Sequence, residues 1–165
     1  MIRPDHPADA GAIREVVLAA FADSQHSSGT EAAIVEVLRR AGALAISLVA
    51  DEDGEVVGHA AFSPVLINIE KSGWFGLGPV TVRPDRQRSG VGQMLIRSGI
   101  ELLRERQARG CVVPGDPAYY RRFGFRSDPR LCYADVPPGY FQQLSFDQEQ
   151  PAGAFTYHPA FDVSE

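Results

Sequence analysis

The run Gln87-Arg88-Ser89-Gly90-Val91-Gly92 has the residue types and the spacing to hold a phosphate group. Glycines at 90 and 92 carry no Cβ, so backbone N–H groups can approach an anion closely and adopt dihedrals that other residues avoid. Residues 91–107 have the strongest helical pattern in the chain. The loop therefore opens onto a helix N-terminus, with its unsatisfied N–H donors and the positive end of its dipole. Arg83, Arg86 and Arg88 add positive charge. Two other phosphate-binding patterns are excluded. A Walker A loop needs Gly-Lys-Ser/Thr, but Gly92 is followed by Gln93 and Met94. The dinucleotide pattern Gly-x-Gly-x-x-Gly is absent, because Gly76-Leu77-Gly78 runs into Pro79-Val80-Thr81 within a strand pattern. A turn without function and a loop for another nucleotide stay open as alternative readings.

Downstream, Tyr119 and Tyr120 offer a second kind of chemistry. A phenol is neutral at pH 7 and has a proton to give. The structural alternative is an aromatic core with Phe123 and Phe125. Cys111 and Cys132 lie far apart and form no Cys-x-x-Cys pair, which argues against a disulfide framework or a metal site. Each reads as a small, semi-buried core residue.

The elements that position these residues follow from periodicity. Ile2-Arg3 is a short extended start, and Asp9 caps a helix with Ile13, Val16, Val17, Ala20 and Phe21 on one face. Residues 22–29 are polar and read as a loop. A second helix over 31–41 presents Ile34, Val37, Leu38 and Ala41. Strands over 45–50 and 55–65 flank the turn signal Asp53-Gly54. Residues 67–73 read as a mixed loop or strand end. The strand over 74–82 is interrupted by Gly76, Gly78 and Pro79, which predicts a bulge or splay. The helix over 91–107 has Val91, Leu95, Gly99 and Leu102 along one stripe. A strand at 111–113, a short helix at 117–122 and strands at 131–136 and 154–158 complete a mixed α/β order.

Length and composition fit one domain over 1–165 with a single substantial core. A net charge of -5 argues against nucleic acid as a partner. Any anionic ligand must be held by local groups rather than by the overall field. Asp5, Asp9 and Glu15 interrupt the N-terminus, and no apolar run is long enough to span a bilayer. The expectation is a cytoplasmic protein without a membrane partner.

The loop resembles the signature Arg/Gln-x-x-Gly-x-Gly/Ala of the GCN5-related N-acetyltransferases (GNATs), with Val80-Thr81-Val82-Arg83-Pro84 similar to the family's lead-in strand. Ala118-Tyr119-Tyr120-Arg121-Arg122-Phe123-Gly124-Phe125 resembles a second family segment, in the right order and one helix and one strand away. Val57-Gly58-His59, Phe62-Ser63-Pro64-Val65, Leu77-Gly78-Pro79-Val80, Gly115-Asp116-Pro117 and Tyr157-His158-Pro159-Ala160-Phe161 resemble the bacterial YhbS-like subgroup. The resemblance implies a GNAT fold: about seven strands in a mostly antiparallel, splayed sheet with helices on both faces. It implies acetyl-CoA as co-substrate, an amine as acceptor, no metal, and a homodimer as a common assembly.

It also implies roles. Backbone groups of Val80 and Val82, with Thr81 between them, would bond pantetheine as if it were an added strand. Gln87, Arg88, Ser89, Gly90, Val91, Gly92 and Gln93 would hold the pyrophosphate, and Asp116 and Tyr119 would contact the cofactor. Tyr120 occupies the position of the general acid that protonates the departing sulfur. The strand before the loop, Trp74-Phe75-Gly76-Leu77-Gly78, has no carboxylate to serve as general base. Glu31 and Glu70 are the carboxylate candidates, His59 and His26 the imidazole ones, and water alone is a further alternative. Trp74, Phe62, Tyr140 and Phe141 are candidates to wall the acceptor site. The absent strand carboxylate keeps a second reading open, a non-catalytic acyl-CoA sensor or interaction domain.

Overall fold

A computed structural model of the protein describes residues 1–22, 30–148 and 151–162. In chain order the elements are β1 (Ile2–Pro4), α1 (Ala10–Phe21), α2 (Glu31–Arg40), β2 (Ile46–Glu52), β3 (Glu55–Ile67), β4 (Glu70–Val82), α3 (Val91–Glu105), β5 (Gly110–Pro114), α4 (Pro117–Tyr120), β6 (Arg126–Ser127), β7 (Leu131–Cys132), β8 (Phe141–Ser145) and β9 (Gly153–Thr156). The main sheet runs β1-β2-β3-β4-β5-β8-β6, and β9 joins the far end of β3 and pairs with β7. Among the described residues, only β4–β5 and β7–β9 are parallel.

Both hairpins that aim the sheet are two-residue turns. Asp53 and Gly54 take positive φ between β2 and β3, as the Asp-Gly signal predicts. Asn68 and Ile69 do the same between β3 and β4, at φ 51° and 70°. The segment 67–73 is therefore a hairpin tip and the start of β4 rather than a loop. Asn68 holds that tip by accepting from the Ala154 N–H at 3.1 Å.

Side chains divide by strand alternation. Leu48, Ala60, Phe62, Leu77 and Val113 pack against Val91, Leu95, Ile96, Ile100 and Leu103 of α3. The fully buried residue near the end of that stripe is Leu103, one position past the expected Leu102. Gly99 is there for contact: a Cβ at this position would land on the Phe62 ring. On the other face, α1 and α2 cover Val49 and Val56 with Ile13, Val16, Val17, Ala32 and Val35.

The C-terminal third departs from the sequence pattern. The strand expected over 131–136 shortens to Leu131–Cys132, and Phe141–Ser145, a strand that periodicity does not predict, lies antiparallel along all of β5. Its buried Gln142 donates to the carbonyl of Gly139 at 2.7 Å. Among the described residues, no helix is long and apolar enough to cross a membrane.

Candidate active site

Strands β4 and β5 part company in mid-sheet. They pair only at Trp74–Gly110, Phe75–Cys111 and Gly76–Val112. Beyond Gly76, β4 keeps β3 on one side and, among the described residues, has no strand on the other, while β5 keeps β8. The register against β3 slips between Ala60–Val80 and Phe62–Leu77, which places the predicted bulge at Gly78 and Pro79. Leu77 to Val82 thus line one side of an open fork. Such an edge offers unpaired N–H and C=O groups to an extended ligand.

The root of the fork is plugged by Tyr157, a fully buried residue whose hydroxyl lies 3.3 Å from the Leu77 carbonyl and 3.2 Å from that of Val112. Gly76 makes the room, since a Cβ there would stand 2.5 Å from the Tyr157 ring. Burial pushes the Tyr157 phenol well above its ordinary value. Tyr157 is the site residue whose role periodicity misses. The expected strand over 154–158 and the family-like segment at 157–161 include it, but only the glycine amid large residues in β4 hints at where its ring goes.

At the open end of the fork, Gly90 takes φ 89° and caps α3, while Arg88 also has positive φ, 65°. The first intrahelical bond is Met94 N–H to Gly90 O, so the amides of Val91, Gly92 and Gln93 keep no partner within the helix. No acidic residue occupies that first turn. The Gln87 amide donates to Val82 O at 3.1 Å, and Ser89 Oγ donates to Arg86 O, which fasten the loop to β4. Arg83 and Arg86 contribute less charge than composition suggests. Asp85 and Glu55 pair with the first, and Glu52 and Asp85 with the second. Arg88 has no carboxylate partner among the described residues.

Tyr119 and Tyr120 stand on α4, whose N-cap Asp116 accepts from the Ala118 N–H at 2.9 Å. A Cβ on Gly92 would have the Tyr119 hydroxyl and Val82 Cγ2 both at 3.6 Å, so strand, loop and α4 converge. The Tyr120 ring packs edge-on against Tyr119 at 5.0 Å and Phe125 at 5.9 Å. Its phenol is pushed up to about 12, first by burial and then by Tyr119 and Cys111, so it stays protonated at neutral pH. A Cβ on Gly115, the residue after β5, would stand 2.5 Å from the Tyr120 ring, which places Tyr120 beside the end of β5. Cys111 is buried and its thiol is pushed up by burial, whereas Cys132 is exposed rather than semi-buried.

The candidate bases are not gathered in the same way. Glu70 is exposed at the start of β4, six residues from Gly76, roughly 20 Å at about 3.3 Å per residue. Glu31 is the first residue of α2 and half-buried. His26 lies outside the described residues. His59 is fully buried and held at about 4 by burial, so its ring is neutral. Thr81, expected at the cofactor, is buried on the α1–α2 face. Of the expected acceptor walls, Phe62 packs under α3, Trp74 and Phe141 belong to the C-terminal core, and Tyr140 is half exposed.

A splayed β4–β5 fork, a left-handed glycine at the head of the following helix and a tyrosine pair facing that loop define an acyl-CoA-type N-acyltransferase fold. The chain matches the model of the acetyltransferase (GNAT) domain over residues 2–127, and it belongs to that family. Among curated relatives, the N-acetyltransferase YhbS of Escherichia coli K12 is 37% identical over 126 residues, 76% of this chain and 72% of the relative. Two solved structures superpose along nearly the whole chain. A GNAT family acetyltransferase from Brucella melitensis, in complex with acetyl-CoA, has a TM-score of 0.89 at 51% identity and covers 98% of this chain and 97% of its own. The structure of Escherichia coli YhbS in complex with CoA has a TM-score of 0.90 at 32% identity, with 99% and 92% covered.

Proposed function

We propose that this acetyltransferase moves the acetyl group of acetyl-CoA directly to a primary amine, with the whole chain, 1–165, acting as one domain. The observation that carries the reading is the convergence of the fork, the Gly90 loop and Tyr120. The edge of β4 at Val80 and Val82 holds the pantetheine arm by backbone hydrogen bonds. The amides of Arg88 to Gln93 hold the pyrophosphate, with Gln87 and Ser89 keeping their loop in shape, and Tyr119 closes over it. Asp116 acts by capping the turn that presents both tyrosines. When bound, acetyl-CoA supplies an activated acyl carbon and a sulfur leaving group.

Tyr120 gives its proton to that sulfur, and its high pKa keeps the proton in place until charge develops there. Cys111 is buried as a neutral thiol, which disfavours an acyl-enzyme and favours direct attack by the amine. Holding both reactants at the fork supplies much of the acceleration. The two unpaired cysteines suit a reducing, cytoplasmic setting.

The test is thiol release from acetyl-CoA with a panel of amines. Tyr120→Phe is expected to lower kcat about a hundredfold while leaving acetyl-CoA affinity unchanged. An undiminished kcat refutes the role of Tyr120. The filled position at Gly76 favours one rival reading, a sensor without chemistry. Tight acetyl-CoA binding with no thiol release on any amine would establish the rival.

A further inference from the structure

We propose that Asp5, Ser47 and His59 form a relay that carries the amine's proton from the α1–α2 face of the fork to solvent. The proposal rests on the acyl-transfer reading above. His59 Nε2 lies 2.8 Å from Ser47 Oγ, and Ser47 Oγ lies 2.6 Å from Asp5 Oδ2, which also accepts from Arg39 at 2.7 Å. Chemistry fixes every proton in this chain. A carboxylate ion-paired to a guanidinium only accepts, so the Ser47 hydroxyl proton points to Asp5. Ser47 oxygen must then accept from His59, which makes Nε2 the protonated nitrogen and leaves the lone pair on Nδ1. That nitrogen has no partner among the described residues although the residue is wholly buried.

Two further buried groups share its situation. Thr81 Oγ1 and Ser63 Oγ also lack a partner among the described residues. Thr81 pairs directly with His59 across β3 and β4, and Ser63 pairs with Gly76 at the root of the fork. Residues 59, 61 and 63 alternate with Phe62, which faces α3, so all three polar groups lie on the opposite face of the sheet. The residue between His59 and Ser63 on that face is the small, fully buried Ala61. Buried polar atoms without a protein partner are ordinarily satisfied by ordered water. The row runs from Gly76, through Ser63 and Thr81, to His59. From there it continues through Ser47 to Asp5, which lines a solvent-open cavity of about 350 Å³ with Pro4, Arg39 and Ser47.

The proton balance closes. As the amine nitrogen bonds to the acyl carbon and the carbon–sulfur bond breaks, that nitrogen becomes strongly acidic and a weak base suffices. His59 Nδ1 takes the proton by way of bridging water and passes its Nε2 proton to Ser47 Oγ. Ser47 gives its own proton to Asp5, which releases it into the cavity. Tyr120 protonates the sulfur; a proton returning from the cavity along the same row then restores the Nε2–H form of His59 and, through water, the Tyr120 phenol. The charged groups facing His59 are Asp5, from the end of β1, and Arg39, from α2.

The test compares wild type with Ser47→Ala, Ser47→Thr and His59→Gln. Ser47→Ala and His59→Gln are expected to lower kcat about tenfold or more at unchanged KM for acetyl-CoA. A curved dependence of kcat on deuterium content, reporting several protons in flight, is expected to become linear in both. Ser47→Thr keeps a hydroxyl and is expected to restore rate and curvature. Independently of turnover, nitrogen-15 NMR of histidine-labelled protein is expected to show His59 as the Nε2–H tautomer in wild type and to lose that preference in Ser47→Ala. The relay is overturned if wild type acetylates amines and both variants match it, or if Nδ1 carries the proton. A wild type inert toward every amine overturns the acyl-transfer reading, and the relay with it.

Discussion

Acidification from pH 7.5 to pH 5 is expected to cost the fold about 2 kcal/mol through His59 alone. Its folded-state pKa is lowered to about 4, chiefly by burial, with Asp5 raising it and Arg39 lowering it by lesser amounts. In the unfolded chain the imidazole titrates near ~6.5. Between these values the unfolded state binds more protons than the folded one, so stability rises with pH there. The contribution is fully present above about pH 6.5 and is lost as pH falls toward 4. At pH 5 the unfolded chain sits about 1.5 units below its pKa, and at ~1.4 kcal/mol per unit the loss is about 2 kcal/mol. It approaches about 3 kcal/mol once the folded pKa is passed. Asp9 and Asp128, held down to about 2 by Arg3 and Arg130, add their losses only at lower pH, which leaves pH 5 as a clean window. The assay is urea unfolding of wild type and His59→Gln at both pH values. Wild type should lose about 2 kcal/mol more than the variant between them, whatever the variant does to stability at pH 7.5. Equal pH dependence in the two proteins would show that His59 is either solvated or charged in the fold.

Three further perturbations probe the scaffold. Gly90→Ala forces a side chain into left-handed backbone at φ 89°, at a strain of about 1–2 kcal/mol, and is expected to weaken CoA binding about tenfold by calorimetry. Gly99→Ala drives a methyl group into the Phe62 ring and is expected to cost about 1–3 kcal/mol, visible as a Tm lower by several degrees. Tyr157→Phe removes the buried hydroxyl that bonds the carbonyls of Leu77 and Val112; a loss of about 1–3 kcal/mol in urea unfolding checks it, and an unchanged midpoint removes the plug from the account.

The donor half of the site is legible in sequence because its signals are local. Gly90 and Gly92 precede a strongly periodic helix, Gly78-Pro79 marks the bulge that opens the fork, and Tyr119 and Tyr120 follow within a few dozen residues. The rest depends on contacts between distant segments. Phe141–Ser145 escapes because its two consecutive glutamines break the apolar alternation, and Gln142 finds its partners at Gly139 and Gly115. Ile69 carries no turn signal, yet its positive φ completes the β3–β4 hairpin. His59 looks from sequence like a strand histidine with its bonds satisfied. Its bond to Ser47, and the bond from Ser47 to Asp5, show that one nitrogen is satisfied and the other is not.

Gly76 links these observations. Its absent side chain is occupied by Tyr157, so a carboxylate at 76 would begin with a Cβ 2.5 Å from that ring. The missing strand carboxylate is thus a consequence of packing: this sheet face cannot hold both a Tyr157 plug and an acid at 76. An acceptor amine must then lose its proton elsewhere, and Glu70 stands at the wrong end of β4 to receive it. Directly across the strand pair from Gly76 is Ser63, the first of the buried groups that lead to His59. The residue that closes the fork against a local base therefore directs the test of the proposed relay to the polar row on β3, where substitutions are expected to separate transfer from binding.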